Sequence, residues 1–271
     1  MGEYINKITI GGRITNSTMI TAGIDVGSTT TKAVIYKRGA IVSWAIVPTG
    51  WSPREAGKEV LAKAIKNAGI ERSDIERIIG TGYGRISLNF IDKAVTEITC
   101  HAKGANYYFP KNRLVIDIGG QDSKAIHVNE QGKVLDFIMN DKCAAGTGRF
   151  LQVTINSLGI EFDELNQLPP AEPVAINSMC TVFAESEVIS LLATGTSKES
   201  IVAGLYHSVA RRVATMAGSL KVPGGVTFTG GVAQSPLMLE ALIKELQVKV
   251  SVAPQPQLTG ALGAAILGSE M

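Results

Sequence analysis

Two aspartates and two cysteines hold most of the chemistry this sequence can do. Asp25 ends an apolar run and opens the phrase Asp25-Val26-Gly27-Ser28-Thr29-Thr30-Thr31-Lys32; Asp117 does the same in Asp117-Ile118-Gly119-Gly120-Gln121-Asp122-Ser123-Lys124. Each copy reads as a strand, a tight turn and a second strand, because a Gly lets the backbone turn and an apolar alternation resumes after it. Two such hairpins facing each other offer backbone N–H groups to a polyphosphate and two carboxylates to its Mg²⁺. Gln121 can orient an attacking water, since its amide both donates and accepts. Later, Thr229-Gly230-Gly231-Val232-Ala233 follows a strand, and its paired glycines let a backbone lie flat against a nucleoside. No G-x-x-x-x-G-K-[ST] segment occurs, so a P-loop is excluded.

The cysteines lie in Asn140-Asp141-Lys142-Cys143-Ala144-Ala145-Gly146-Thr147-Gly148-Arg149-Phe150 and Ser178-Met179-Cys180-Thr181-Val182-Phe183-Ala184. Both are expected shortly before helices, where unpaired N–H groups and the positive end of the dipole favour a thiolate and any anionic group it holds. A [4Fe–4S] cluster needs four thiolates, and one chain supplies two such sites. Two chains meeting at a twofold axis would complete the set. Zinc on the same four thiolates, or two buried small hydrophobes with no ligand, are the alternatives. Cys100, beside His101 in a helix, reads as a packing residue, and His127 and His207 read as structural. Tyr83 and Arg85 follow a strand and suit either the cleft or an interface.

The 271 residues are 45% hydrophobic and 18% charged, ordinary globular material for one large domain or two lobes. A net charge of +2 announces neither nucleic acid nor an anionic membrane surface. No apolar run reaches the roughly 20 residues that span a bilayer, and the start has no apolar secretory region. A cytoplasmic protein is expected, and three cysteines, an odd count, argue against a disulfide framework. Residues 1–18 read as an extension, with Met19 a possible alternative start.

The elements that must position these residues alternate along the chain. The first hairpin leads to a strand at Ala40–Val47, a helix at Pro53–Ala68 capped by Ser52, a strand at Ile75–Thr81 and a helix at Glu97–Phe109 stopped by Pro110. The second leads from Arg113–Ile118 and Ser123–Val128 to a strand at Lys133–Met139. Helices follow at Gly146–Leu158, Asp163–Leu168, Ala184–Ala193 and Lys198–Leu220, the last capped by Ser197. A strand at Gly225–Thr229, a helix at Pro236–Leu246, a strand near Val248–Val252 and a terminal helix from Thr259 complete an α/β pattern in two lobes. The lobes are placed at 19–110 and 111–271, each built on one β-hairpin-containing core.

With three such segments, the chain resembles the superfamily of actin, sugar kinases and Hsp70, whose lobes are ribonuclease H-like. In that resemblance Asp25, Gly27, Ser28, Thr29, Thr30 and Lys32 take the first phosphate role. Asp117, Gly119, Gly120 and Gln121 take the second, and Gly230, Gly231, Val232 and Ala233 the adenosine role, with the Gly260–Gly268 helix connecting the lobes. The motifs IDVGSTTTK, IDIGGQDSK, NDKCAAGTGRF, CTVFAESEV and TGGVAQ are similar, more narrowly, to the ATP-dependent activators of 2-hydroxyacyl-CoA dehydratases, a family that includes benzoyl-CoA reductase ATPase subunits. That resemblance covers Ala22 to the C-terminus. It implies a homodimer bridged by one [4Fe–4S] cluster on Cys143 and Cys180, ATP or ADP with Mg²⁺ in the cleft, and a ferredoxin or flavodoxin as electron donor. The electron would pass at low potential, with ATP hydrolysis, to an iron–sulfur dehydratase or reductase. The rivals are a small-molecule kinase, such as an acetamido-sugar kinase, and an actin-like ATP-binding assembly protein without enzymatic output.

Overall fold

The structure, a computed structural model, describes residues 18–161, 164–165, 168–178 and 180–271. Residues 1–17 of the expected extension and much of the helix expected at Asp163–Leu168 lie outside the described residues. Among the described residues no helix is long and apolar enough to cross a membrane.

Two five-stranded sheets share one plan. In the first, β1 (Ile20–Val26) is buried along its whole length. It pairs antiparallel with β2 (Thr30–Lys37) and parallel with β4 (Arg77–Thr81). β3 (Ala40–Pro48) adds to β2 through a tight turn at Arg38 and Gly39, both at positive φ, as a two-residue hairpin of this hand requires. β5 (Lys93–Ala94), two exposed residues, completes the order β3-β2-β1-β4-β5. α1 (Pro53–Ala68) lays Ala56, Val60, Leu61 and Ala64 on this sheet and ends on Gly69 in the left-handed conformation.

The second sheet repeats the arrangement. β6 (Leu114–Ile118) pairs antiparallel with β7 (Ser123–Val128) and parallel with β9 (Val226–Thr229), and β8 (Val134–Asn140) and β10 (Val250–Val252) close the order β10-β9-β6-β7-β8. The repeat holds to the residue: Asp25 lies opposite Lys32 and Thr81, and Asp117 opposite Lys124 and Thr229. After Thr81 and Thr229 come Gly82 and Gly230, both at positive φ, and then a 3₁₀ turn in each lobe. The duplication therefore reaches past the hairpins into the strand that follows each of them.

α2 (Glu97–Tyr108) sets Ala102 and Ala105 against Val115, Ile126 and Val128 of the second sheet. α3 (Gly148–Asn156), α4 (Thr181–Ala193), α5 (Lys198–Gly218) and α6 (Pro236–Leu246) build the larger core on its other face. His207 of α5 lies 3.4 Å from Glu245 of α6. α7 (Thr259–Ser269) returns to the first sheet, where Ala261, Leu262, Ala265 and Ile266 pack with Val34 and Tyr36. α2 and α7 meet almost backbone to backbone: a β-carbon on Gly263 would collide with the Cys100 carbonyl, and one on Gly104 with that of Thr259. This helix pair is the seam between the two sheets.

Candidate functional site

The two hairpin turns face each other. Each is closed by the same bond, Gly27 N–H donating to the Thr30 carbonyl at 3.1 Å and Gly119 N–H to the Asp122 carbonyl at 2.9 Å. Gly120 approaches the first turn so closely that a β-carbon there would run into the Thr29 hydroxyl and stand 3.4 Å from Ser28 Oγ. Thr49, which the sequence reading missed, braces the first turn by donating to the Gly27 carbonyl at 2.8 Å. A cavity of ≈ 220 Å³ opens here, lined by Gly27, Ser28, Thr49 and Tyr83 from one lobe and by Gln121 from the other. Tyr83 is thus a cleft residue, whereas Arg85 turns back to the Gly82 carbonyl at 2.9 Å.

The carboxylates occupy equivalent positions but keep different company. Asp117 is fully buried and accepts from Thr229 Oγ1 at 2.9 Å and from Lys124 Nζ at 3.4 Å. Burial alone would raise its carboxyl; His101 and Lys124, with hydrogen bonds from Thr229 and Lys124, outweigh burial and bring it down to about 2. Lys124 is itself buried and also meets Asp122 at 2.7 Å and Glu97 at 3.8 Å. Burial works against its charge, but the three carboxylates hold its ammonium above the ordinary lysine value. The same burial raises Glu97, with Lys124 opposing. Asp25, by contrast, has Lys32 at 3.6 Å, and Thr81, the counterpart of Thr229, does not donate to it. Lys32 is the more accessible lysine and lies over the turn, 3.1 Å from where a Gly27 β-carbon would be. Asp25 and Lys32 therefore have capacity left for a cation and a phosphate, which suits a Mg²⁺–polyphosphate; Asp117 and Lys124 are committed to one another.

His101, on α2, escaped the sequence reading as a site residue. Its Nδ1 stands 3.2 Å from Asp117 Oδ1. Glu97 lies one turn earlier on the same helix.

The expected adenosine segment sits beside the second turn. Gly230 is required by the backbone itself, since a β-carbon would strike the Ile118 carbonyl and φ is +92°. Gly231 is exposed, with only Gln257 Nε2 at 3.5 Å near a β-carbon there. Of the pair, Gly231 is the one with open space for a ligand. Val232 approaches Gly148, and Ala233 is buried.

The cysteines depart from expectation in one respect. α3 starts at Gly148 with Thr147 as its N-cap, five residues after Cys143, and its first N–H groups are already used: Gly148 donates to the Gly119 carbonyl at 2.9 Å and Arg149 to the Gly120 carbonyl at 2.8 Å. That helix end faces the turn of the second hairpin rather than Cys143. Asn140 holds the Cys143 loop by donating to the carbonyls of Cys143 at 3.0 Å and Ala145 at 2.8 Å. Cys180 is the N-cap of α4, which begins at Thr181, three residues before the expected start. Glu187, on α4, accepts from the backbone N–H of Asn177 at 3.0 Å and of Ser178 at 2.8 Å. Burial nudges its carboxyl up, but these hydrogen bonds prevail and hold it below the ordinary carboxylate value. Cys180 is exposed and Cys143 partly so, while Cys100 is buried in the α2–α7 seam. Residues flanking both cysteines, Asn140, Gly146, Asn177 and Ser178 among them, line one cavity of ≈ 550 Å³.

The chain matches one sequence family over nearly its whole length, residues 22–268. The chain belongs to the BadF/BadG/BcrA/BcrD ATPase family. As a member of it, the protein is an ATPase with the two-lobed actin/sugar kinase/Hsp70-like fold. It is 46% identical over 250 residues to the (R)-2-hydroxyglutaryl-CoA dehydratase activating ATPase of Acidaminococcus fermentans, covering 91% of this chain and 95% of that one. The crystal structure of component A of the same dehydratase superposes with a TM-score of 0.89 at 44% identity, over 93% of this chain and 98% of that one. The activator of 2-hydroxyisocaproyl-CoA dehydratase from Clostridium difficile, solved with bound ADPNP, gives 0.86 at 42%, over 93% and 95%.

Proposed function

We propose that this ATPase is the activator of a 2-hydroxyacyl-CoA dehydratase or a related double-cubane iron–sulfur enzyme. As a cytoplasmic homodimer it shares one [4Fe–4S] cluster, receives an electron from a ferredoxin or flavodoxin, and passes it on at low potential with ATP hydrolysis. The bound cluster supplies the electron-carrying capacity. The protein's own residues bind the nucleotide, hold the thiolates and link the two.

Four thiolates are needed, and among the described residues no group of three or more His, Cys, Asp or Glu side chains is placed to hold a metal ion within one chain. Cys143 and Cys180 from each of two copies make up the number. Asp25, with Mg²⁺, and Lys32 take the phosphates. Gln121 reaches from the second lobe into the cavity of the first and positions the attacking water, with Gly231 beside the nucleoside. Residues 19–110 and 111–271 act as the two lobes, and α7 runs back along the first sheet.

One observation carries the reading: the carbonyls of Gly119 and Gly120 accept from Gly148 and Arg149, so the phosphate turn and the end of the Cys143 loop are bonded directly. A turn that shifts with the state of the nucleotide pulls on a cluster ligand, which is how ATP can bias an electron-transfer state. Purification without oxygen tests it. A brown dimer with about four irons and ATP turnover agrees with the activator. A colourless protein that phosphorylates a sugar, or one that forms filaments, contradicts it.

A further inference from the structure

Small residues, Gly104, Gly260, Ala261, Gly263 and Ala264, bring α2 and α7 close together. His101 is buried within this seam, and its Nδ1 has no hydrogen bond of good geometry although Asp117 Oδ1 lies only 3.2 Å away. A buried polar atom left off its partner is rare enough to need a reason. On the other side, a β-carbon on Gly260 would stand 2.9 Å from His101 Nε2 and 2.9 Å from Asp25 Oδ2. The space that Gly260 leaves open is thus shared by the imidazole and the first-lobe carboxylate. One ring lies between the aspartates of both hairpins, on the helix that forms the seam.

We propose that His101 is a positioning residue for ATP hydrolysis: its Nδ1 edge keeps Asp117 turned toward Thr229 while its Nε2 edge faces Asp25, so that the two phosphate hairpins are set relative to each other through one side chain. Asp117 is also met by Lys124 of β7, which in turn pairs with Glu97 on the helix of His101 and with Asp122. The inference rests on Asp25 and Asp117 being the carboxylates of the nucleotide site.

Three replacements separate the two edges of the ring. An Asn places its amide near the position of Nδ1, a Gln near that of Nε2, and an Ala fills neither. With Asp117 as the governing contact, His101→Ala and His101→Gln lower kcat for ATP about tenfold or more, His101→Asn recovers most of it, and KM for ATP and Kd for ADP stay within about threefold throughout. Thermal melts with and without Mg-ADP show that each variant is folded and binds nucleotide. Unchanged kcat in a folded His101→Ala protein overturns the proposal, as do equal losses in all three variants that track a fall in Tm. Asp117→Asn, measured in parallel, keeps the two readings apart: an active Asp117→Asn protein refutes the site, whereas an inactive one beside a fully active His101→Ala refutes only the role of His101.

Discussion

Asp25 and Asp117 hold the same place in two sheets, each opposite a lysine on its hairpin partner and a threonine on the parallel strand beyond, yet they are not interchangeable. Asp117 is buried among Thr229, Lys124 and His101, while among the described residues Asp25 is paired with Lys32 alone, at a longer 3.6 Å. In the duplicated hairpin one aspartate is engaged by its own surroundings and the other has valence to spare.

That difference separates nucleotide chemistry from the cysteines. Asp117→Ala is expected to lower ATP turnover by about a hundredfold or more, with bound iron retained. Cys143→Ser is expected to lose iron and keep ADP affinity within about threefold. Iron content by colorimetry and ADP binding by calorimetry decide the pair, and loss of both properties in either variant refutes the separation.

Asp117 should make the protein's stability fall in strong acid. Its folded carboxyl lies at about 2, below the ordinary 3.8, so the stabilisation it gives is complete above the unfolded value and is lost as pH falls through the folded one. The contribution is about 2 kcal/mol, and the window runs from about pH 4 down to about pH 2. Denaturant midpoints across that range should fall more steeply for the wild type than for Asp117→Asn.

The cysteines should differ in reactivity. Burial pushes the Cys100 thiol up to about 12, which leaves it a neutral packing group at neutral pH, whereas Cys180 is exposed at the start of α4. In metal-free protein, iodoacetamide should modify Cys180 within the folded state and Cys100 only after unfolding. Peptide mapping reads the order, and early labelling of Cys100 contradicts it.

Two neighbouring glycines should respond in opposite ways. Gly230→Ala puts a β-carbon into the Ile118 carbonyl at a positive φ and should cost about 1–3 kcal/mol or more. Gly231→Ala meets open space and should leave stability within about 0.5 kcal/mol. Thermal melts measure both, and weaker ADP binding by Gly231→Ala alone places the nucleoside at that residue.

Much of this was legible from residue order. Val and Ile runs ending in Asp, with Gly at the turn, fix both hairpins within a residue or so, and Pro53, Ser197 and Pro236 mark three helix starts where the structure has them. What escaped depends on contacts between distant segments. His101 acquires its place only because α7 returns to the first sheet and Gly260 leaves room, which no local pattern encodes. The α3 N-terminus seemed free for Cys143 because nothing in its own sequence shows that Gly119 and Gly120 accept its N–H groups. Thr181, Val182 and Phe183 are weak helix formers, so α4 was placed late; they sit in its first turn, where propensity matters less. A signal that was available is the Thr-Gly pair after each parallel strand, Thr81-Gly82 and Thr229-Gly230, which extends the repeat.

The central claim is that the nucleotide turn and the cluster ligands move together. Its most direct test is the rate at which a chelator removes iron from the anaerobic dimer with Mg-ADP and with a non-hydrolysable ATP analogue. The rates should differ by about fivefold or more in the wild type and converge in Asp117→Ala. Equal rates in both nucleotide states of the wild type, with nucleotide shown to be bound, would contradict it.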